Sequence, residues 1–424
     1  MGKFDGKIML ELGTNVASVD IVKYAMSEGA YVIVADYLEP EHSEAKRYAN
    51  ESVMISTIDV AALCDFAQKR RVDGVFCGVS EMNILSAKAV ADRLGLPFYF
   101  TMDQWNLTQN KEHFKKLCLE HGVPVPKAYP VEDIDAIEKD NSIEYPVIVK
   151  PVDLGAAIGV HICNSFEELK AGYQDAVQKS NSGRAIVEKY IQGIEMSAYY
   201  TFIEGECRPS IVFDKHVSKA DMGFTPLPEV YAFPSKVPKR YLQEINDRVV
   251  EMFTSIGLKN GVACIQGMAD ESGIYVFECG MRLGGTALYR FIDYINGNSF
   301  LRMMVDYAML GRIDADITRE DPALKGKCGC ILSLLNRGGI VGSIEGFEEA
   351  ARMEGIIDTE LRYQVGEEIT KRGTLKQSHI RFFIVRDTLD ELADTITAIK
   401  KRVRVRDEEG RDMLYSDFDV RDLY

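Results

Sequence analysis

The chain has 424 residues, which is too long for one ordinary hydrophobic core and indicates two to four domains. Its composition, 46% hydrophobic and 27% charged, is that of a globular protein. The formal net charge of -15 argues against a nucleic acid as the main partner, because phosphate backbones are bound by clusters of Lys and Arg. An anionic ligand would therefore need a local basic pocket.

Cysteine usage and the lengths of the apolar stretches indicate a cytoplasmic location. The nine cysteines include no C-x-x-C pair, which favours reduced thiols over a disulfide framework or a zinc site. No uninterrupted apolar stretch reaches the length of a membrane span, and the first residues lack the apolar region of a signal peptide. We therefore expect no membrane partner.

The first part of the chain alternates between apolar strands and amphipathic helices. Strands are predicted at 7–12, 31–35, 52–55 and 75–77, with helices between and after them, the last over 81–94. This alternation predicts a parallel, doubly wound sheet. The first turn carries one glycine, Gly13, where a dinucleotide fingerprint has three, so we interpret this unit as a scaffold.

Two lysines in the next part of the chain are candidates for binding an anion. Asn110-Lys111 opens a predicted helix, and Lys150 ends a short buried strand over 145–150. A lysine that follows four apolar residues cannot easily extend its ammonium group to water. It therefore needs an anionic partner, either in the protein or in a ligand.

A glycine loop and two glutamates follow. Gly155 and Gly159 lie in a loop whose bare amides could surround phosphate oxygens, although the spacing alone favours an ordinary hairpin turn. A further strand is predicted at 185–191 and carries Glu188, and Glu195 comes shortly afterwards. A long polar connection is then predicted at 214–239, and such connections are usually functional or mobile.

Each of two apolar strands beyond this connection carries a polar residue that could bind a ligand. Gln266 lies in the first strand, and Glu278 ends the second one twelve residues later, followed by Arg282. Gly284 and Gly285 come next and would let the backbone approach a ligand. A structural ion pair between Glu278 and Arg282 is the alternative interpretation of this segment.

In their order and spacing, these residues together resemble the ATP-grasp superfamily. No single one of these elements is specific to the superfamily, whereas six of them in this order are. The resemblance covers nearly the whole chain and implies a multidomain protein of mixed α/β and α+β class. It implies a parallel α/β domain at 1–105, a two-lobed nucleotide-binding domain at 106–310 with its small lobe at about 125–190, and a C-terminal α+β lobe at 311–424.

The resemblance also implies a role for individual residues. The phosphates of ATP would be held by two lysines and a closing loop: Lys111, Lys150, Gly155, Ala156, Ala157 and Gly159. The adenine and ribose would be bound by Glu188, by the backbone of Lys189 and Ile191, and by Glu195. Mg²⁺ or Mn²⁺ would be bound by Gln266 and Glu278, and Arg282 would stabilise the charge on the transferring phosphate.

The chain departs from the family pattern at two places. Ala156 and Ala157 stand where the D-alanine ligases have serines, so the hydroxyl contacts of that loop are missing. Gly280 stands where the family's E-x-N-P-R ending has an asparagine ligand, so a second magnesium ion would take an extra water or bind more weakly.

The activity implied by the resemblance is an ATP-dependent joining of a small-molecule carboxylate, activated as an acyl phosphate, to an amine, with release of ADP and phosphate. A bicarbonate-activating enzyme, similar to carbamoyl-phosphate synthetase and biotin carboxylase, is one alternative, because the synthetase branch also has glutamine at the position of Gln266. A non-catalytic ATP-binding regulator is the other alternative, because of Ala156, Ala157 and Gly280. A homodimer is the default expectation for such an enzyme.

Overall fold

The computed structural model describes residues 2–424 except 16, 132–133, 136–142, 155–157, 221, 223–226, 235 and 371–372. The strands are β1 Ile8–Leu12, β2 Tyr31–Ala35, β3 Glu51–Val53, β4 Gly74–Phe76, β5 Ala128–Tyr129, β6 Val147–Pro151, β7 His161–Cys163, β8 Ala185–Lys189, β9 Ile194–Ile203, β10 Glu206–Val217, β11 Pro228–Phe233, β12 Gly261–Ala269, β13 Ile274–Gly280, β14 Cys328–Leu335, β15 Gly339–Glu345, β16 Ile356–Leu361, β17 Glu368–Ile369, β18 Ser378–Arg386 and β19 Arg404–Asp407.

The helices are α1 Ser18–Ser27, α2 Glu44–Tyr48, α3 Val60–Arg70, α4 Glu81–Leu94, α5 Met102–Gln109, α6 Lys111–Glu120, α7 Phe166–Lys179, α8 Pro238–Glu244, α9 Asn246–Ser255, α10 Tyr289–Asn296, α11 Phe300–Leu310, α12 Phe347–Ala351 and α13 Leu389–Arg402. No helix in the described part of the chain is both long and apolar enough to span a bilayer.

The N-terminal sheet has the predicted parallel arrangement, with strand order β3-β2-β1-β4. The acid that ends β2, Asp36, is buried and is satisfied within the protein. It accepts a hydrogen bond from the hydroxyl of Ser43 at 3.3 Å, and the ammonium group of Lys46 lies 4.0 Å away. Because Asp36 already has these partners, its position supports the scaffold interpretation of this domain.

The small lobe is an antiparallel sheet of order β5-β8-β6-β7 with α7 packed on it. Its core contains apolar side chains from both layers, among them Val147, Val149, Leu169, Ala176 and Val187. Lys150 and Glu188 lie in the two central strands, β6 and β8.

The large sheet has eight antiparallel strands in the order β13-β12-β9-β10-β11-β14-β18-β16. The predicted boundary at 310–311 falls between strands of this one sheet, because β14, β16 and β18 extend the surface that begins with β13. Residues such as Tyr199, Phe213 and Phe383 pack with the helices on one face. Residues such as Val230, Leu332 and Phe382 pack with the C-terminal elements on the other face.

The prediction of a long polar connection at 214–239 was wrong. Strand β10 continues to Val217, and β11 occupies Pro228–Phe233, where it pairs with both β10 and β14. The polar residues Lys215 and Tyr231 are therefore strand residues that lie opposite each other in the sheet. The tertiary position of β11, between two long strands, outweighs its polar neighbours in sequence.

Candidate functional site

The first lysine of the site is positioned by a capped helix. The side chain of Asn110 accepts hydrogen bonds from the amides of Glu112 at 3.0 Å and His113 at 3.2 Å, which fixes the start of α6. Lys111, the first residue of α6, is 9% exposed, and its ammonium group donates to the carbonyl oxygen of Leu154. The helix thus directs this lysine towards the loop that follows β6.

The second lysine forms part of a buried ionic cluster. The ammonium group of Lys150 lies 2.7 Å from a carboxylate oxygen of Glu188, and that of Lys115 contacts the other oxygen. All three side chains are largely buried. Lys150 also lies 5.3 Å from the ring centroid of Phe277, which immediately precedes Glu278 in β13. The lysine cluster therefore faces the strand that carries the candidate metal ligand.

The pKa values reflect burial and the surplus of positive charge. Burial lowers the pKa of Lys111, the carboxylate of Glu278 opposes this effect, and the ammonium group of Lys150 adds to it. Burial alone would raise the pKa of Glu188, but Lys150 and Lys115 outweigh burial and the net pKa is lowered. The cluster therefore keeps its carboxylate ionised and still has more cations than anions.

The candidate metal ligands lie side by side on paired strands. Gln266 of β12 and Glu278 of β13 are directly opposite in register, and both side chains are half-exposed. Neither side chain has a hydrogen-bond or ion-pair partner among the described residues. An amide oxygen and a carboxylate without partners in the described part of the chain suit a hard cation such as Mg²⁺ or Mn²⁺, which would take its remaining ligands from phosphate oxygens and water.

Close packing against a neighbouring strand explains why position 280 is a glycine. Gly280 pairs with Cys264 across β12 and β13, and an ideal Cβ at position 280 would lie 2.9 Å from the sulfur of Cys264. The thiol of Cys264 therefore occupies the space that a side chain at position 280 would need. Position 280 therefore supplies no side-chain ligand where the ATP-grasp pattern has an asparagine.

Replacing Gly280 with Asn is expected to destabilise the protein by about 1–3 kcal/mol, because the new side chain overlaps the thiol. The double variant with Cys264→Ala should recover most of this loss. Chemical denaturation of the two single variants and the double variant measures the free energies of unfolding. If the free-energy costs of the two single variants simply add in the double variant, the packing explanation is contradicted.

Arg282 lies where the large sheet meets the N-terminal domain. Its guanidinium is 3.4 Å from a carboxylate oxygen of Glu81 and 3.3 Å from the carbonyl oxygen of Leu283. Burial lowers its pKa, but Cys264, Tyr199 and Glu81 outweigh this effect and the net pKa is raised. The alternative of a structural ion pair between Arg282 and Glu278 is not what the structure contains, since Glu81 is the carboxylate that Arg282 contacts.

The residues predicted to bind the adenine and ribose lie at the end of β8, at the start of β9 and in the segment between them. Glu195 pairs with Lys215 at 2.8 Å. The amide of Lys189 donates to Lys127 at 2.8 Å, whereas the amide of Ile191 has no partner among the described residues. Gly159 adopts a φ of +68° and packs against Pro151. The predicted loop residues Gly155, Ala156 and Ala157 lie outside the described residues.

Sequence reasoning missed two residues of this site. Lys115 lies four positions after Lys111, on the same face of α6, so the helical repeat could have indicated it. Glu81 opens α4 directly after β4, at the carboxyl edge of a parallel sheet where ligands commonly bind. Its contact with Arg282 places the start of α4 against a candidate site residue.

Comparison with known sequences finds similarity in the central part of the chain. A family model described as the ATP-grasp domain matches residues 143–289. The D-alanine–D-alanine ligase of Lacticaseibacillus casei (strain BL23) is 29% identical over 188 residues, which cover 43% of this chain and 50% of that ligase. The match thus spans about half the length of this curated relative.

Solved structures resemble nearly the whole chain. The L-amino acid ligase from Bacillus licheniformis superposes with a TM-score of 0.76 at 18% identity and covers 95% of this chain and 99% of that one. The biotin carboxylase domain of the Hydrogenobacter thermophilus 2-oxoglutarate carboxylase, in complex with MgADP, ADP and bicarbonate, gives a TM-score of 0.78 at 17% identity. It covers 96% of this chain and 91% of that one. At these identities, the likenesses show a shared fold.

Proposed function

Because the chain belongs to the ATP-grasp superfamily, we propose that it is an ATP-dependent ligase that joins a small-molecule carboxylate to an amine. The observation that carries the proposal is the arrangement of charge around one cleft. Lys111 and Lys150 approach it from α6 and β6, and Glu278 approaches from β13, close enough to raise the pKa that burial lowers in Lys111. This arrangement suits a metal-bound triphosphate.

The chemistry has two steps. A carboxylate oxygen of the acid attacks the γ-phosphorus, the bond from that phosphorus to the bridging oxygen breaks, and ADP leaves. The amine nitrogen then attacks the carbonyl carbon of the acyl phosphate, loses a proton, and expels inorganic phosphate. Magnesium supplies charge neutralisation when it is bound by Gln266 and Glu278.

The residues of the chain have separate tasks in these steps. Lys111 and Lys150 would bind the phosphate oxygens. Glu188, which the resemblance assigns to the adenine and ribose, is buried against Lys115 and Lys150 and would instead hold Lys150 in place. Arg282 would stabilise the negative charge on the transferring phosphate and then on the tetrahedral intermediate. Glu195 would accept hydrogen bonds from the ribose, and the amide of Ile191, which has no partner among the described residues, would donate to the adenine. Gly155, Ala156, Ala157 and Gly159 would close over the phosphates.

The products of ATP distinguish this proposal from other ligase chemistry. The full chain, incubated with Mg-ATP and a panel of carboxylic acids and amines, should release ADP and inorganic phosphate only when a matching pair is present. Separation of the nucleotides by chromatography measures the result. Release of AMP and pyrophosphate would contradict the acyl-phosphate route.

A bicarbonate-activating enzyme is the second candidate, and Gln266 favours it. This candidate predicts ATP hydrolysis that depends on bicarbonate and needs no organic acid. A non-catalytic ATP-binding regulator, the third candidate, predicts nucleotide binding with no turnover on the acid and amine panel and none with bicarbonate. The same assay therefore separates all three candidates.

A further inference from the structure

Two tyrosine hydroxyl groups contact the backbone on either side of Arg282. The hydroxyl of Tyr99 donates to the carbonyl oxygen of Met281 at 2.9 Å, and both residues are buried. On the other side, an ideal Cβ built on Gly284 would lie 2.4 Å from the hydroxyl oxygen of Tyr199. The two contacts therefore fall one residue before and two residues after Arg282.

Aromatic packing fixes the positions of both hydroxyl groups. Tyr99 lies between α4 and α5, and its ring stacks on Phe98 with 4.9 Å between the ring centroids. Tyr199 belongs to β9, and its ring stacks against Phe213 at 6.1 Å and Phe300 at 5.8 Å. Because close packing keeps each ring in place, we expect each hydroxyl to restrain the backbone that it contacts.

The side chain of Arg282 is held less firmly than its backbone. Its guanidinium is 3.4 Å from Glu81, and the side chain of that glutamate is 43% exposed. An ion pair so open to water contributes little to holding a side chain in one place. A further contact to the backbone, from Arg381 to the carbonyl oxygen of Gly285 at 3.3 Å, restrains the end of the loop. The position of the guanidinium therefore depends mainly on the backbone of this loop.

The charge of Arg282 acts on both phenols. Burial raises the pKa of Tyr99 and the pKa of Tyr199 well above the ordinary value, and the cation of Arg282 opposes this increase in each. Both hydroxyl groups therefore stay protonated at neutral pH and can donate. Burial likewise raises the pKa of the Cys264 thiol, and Arg282 and Tyr199 both oppose that increase. The guanidinium thus lies close to a buried group of polar side chains.

We propose that Tyr99 and Tyr199 are positioning residues for Arg282, and that their hydroxyl groups hold its guanidinium where the phosphate is transferred. The inference rests on the ligase function proposed above and adds two residues to its first step. A charged donor stabilises developing negative charge best when it is in place before the reaction, because no rearrangement is then needed. Neither hydroxyl has to contact the substrate for this effect.

Binding of a mimic of the transferring phosphate tests this role without knowledge of the substrates. Calorimetry measures the affinity of the full chain for Mg-ADP with and without aluminium fluoride, which takes the place of that phosphate. Wild type is expected to bind ADP about 100-fold more tightly with aluminium fluoride, and Arg282→Lys should lose most of this increase. Tyr99→Phe and Tyr199→Phe should each reduce the increase about fivefold, the equivalent of one hydrogen bond, and leave the affinity for ADP alone unchanged.

Turnover gives a second measure of the same role. With a matching acid and amine, each of the two tyrosine variants should lower kcat about fivefold and leave KM for ATP unchanged, because the restraint acts on the transition state. Each substitution keeps the aromatic ring and removes one oxygen atom, so both variants are expected to fold. Each variant tests its own contact, independently of the other.

Tyr200→Phe is the matched control. Tyr200 follows Tyr199 in β9, so its side chain lies on the other face of the sheet, where its hydroxyl contacts Tyr241 at 2.7 Å and Asn246 at 3.1 Å. The substitution removes a buried hydroxyl from the same strand and should leave the effect of aluminium fluoride as in wild type. Chemical denaturation, followed by the fluorescence of the single tryptophan, Trp105, compares the stabilities of all the variants.

The outcomes separate the positioning role from the proposed function. A full effect of aluminium fluoride in Tyr99→Phe or Tyr199→Phe would remove that tyrosine from the role, and an equal loss in Tyr200→Phe would overturn the role as a whole. A full effect in Arg282→Lys, or none in wild type, would remove Arg282 from phosphate transfer and the positioning role with it. A chain that shows the expected losses but turns over no acid and amine pair would keep the positioning role and remove the ligase reaction.

Discussion

Replacing Glu278 with Gln is expected to lower ATP turnover on the order of 100-fold or more, a loss typical of removing one stabiliser of developing charge. Glu278 is the carboxylate of the proposed metal site, and its neighbour Gln266 brings no charge. The amide preserves the shape of the side chain and removes the negative charge that a divalent cation needs. Since Glu278 has no protein partner among the described residues, the variant should unfold at the same denaturant concentration as wild type.

Two measurements check this prediction. The release of ADP in the presence of a matching substrate pair reports turnover, and titration with Mn²⁺, followed by electron paramagnetic resonance, reports metal binding in the presence of ADP. Glu271→Gln is the control, because Glu271 is an exposed residue in the turn between β12 and β13. Unchanged turnover of Glu278→Gln would contradict the proposed function, and unchanged Mn²⁺ affinity would contradict the proposed metal site.

The local elements of the fold could be predicted from the sequence wherever the apolar pattern was strong. Strands β1, β2 and β8 and helix α4 lie where periodicity and turn residues indicated them. Strand β11 was missed because a buried glutamate interrupts its apolar pattern. Glu229 is fully buried, and its carboxylate accepts hydrogen bonds from the amides of Asp417 and Phe418, 188 and 189 residues away. Nothing in the sequence near Glu229 indicates partners at such a distance along the chain.

The candidate site shows the same difference between residues that the local sequence predicts and contacts that join distant parts of the chain. Lys111, Lys150 and Glu278 could be predicted as candidates because each lies near the start or the end of a recognisable element. The contact between Lys115 and Glu188 spans 73 residues, and the contact between Arg381 and Gly285 spans 96. Such contacts depend on how elements that are distant in sequence pack together, so the ionic cluster became visible only in the folded chain.

Replacing Glu188 with Gln is expected to lower the free energy of unfolding by about 3 kcal/mol at pH 7, because it leaves buried cations without their counter-ion. Lys115 and Lys150 both lie against this carboxylate. A matched surface change, Glu206→Gln, removes the ion pair with Arg208 at 2.7 Å and should cost little. Urea denaturation of both variants measures the difference.

The pH dependence of this difference has a defined sign. The pKa of Glu188 is lowered from its ordinary value of 4.5, so the carboxylate contributes stability above pH 4.5. This contribution is lost as the pH falls through the lowered pKa. The gap between wild type and Glu188→Gln should therefore be full at neutral pH and shrink under acid conditions. A gap that stays constant down to the acid transition would contradict the ionic explanation.

A double-mutant cycle separates the charge effect from packing. Adding Lys115→Met to Glu188→Gln removes a cation that has lost its partner, so the double variant should be more stable than the sum of the single costs by about 1–3 kcal/mol. The same cluster explains how Lys150 can be buried before nucleotide arrives. Lys111, Lys115, Lys150 and Glu188 together carry a net charge of about +2. This reduced charge limits the free-energy cost of burying the lysines without a ligand and still leaves positive charge for a triphosphate.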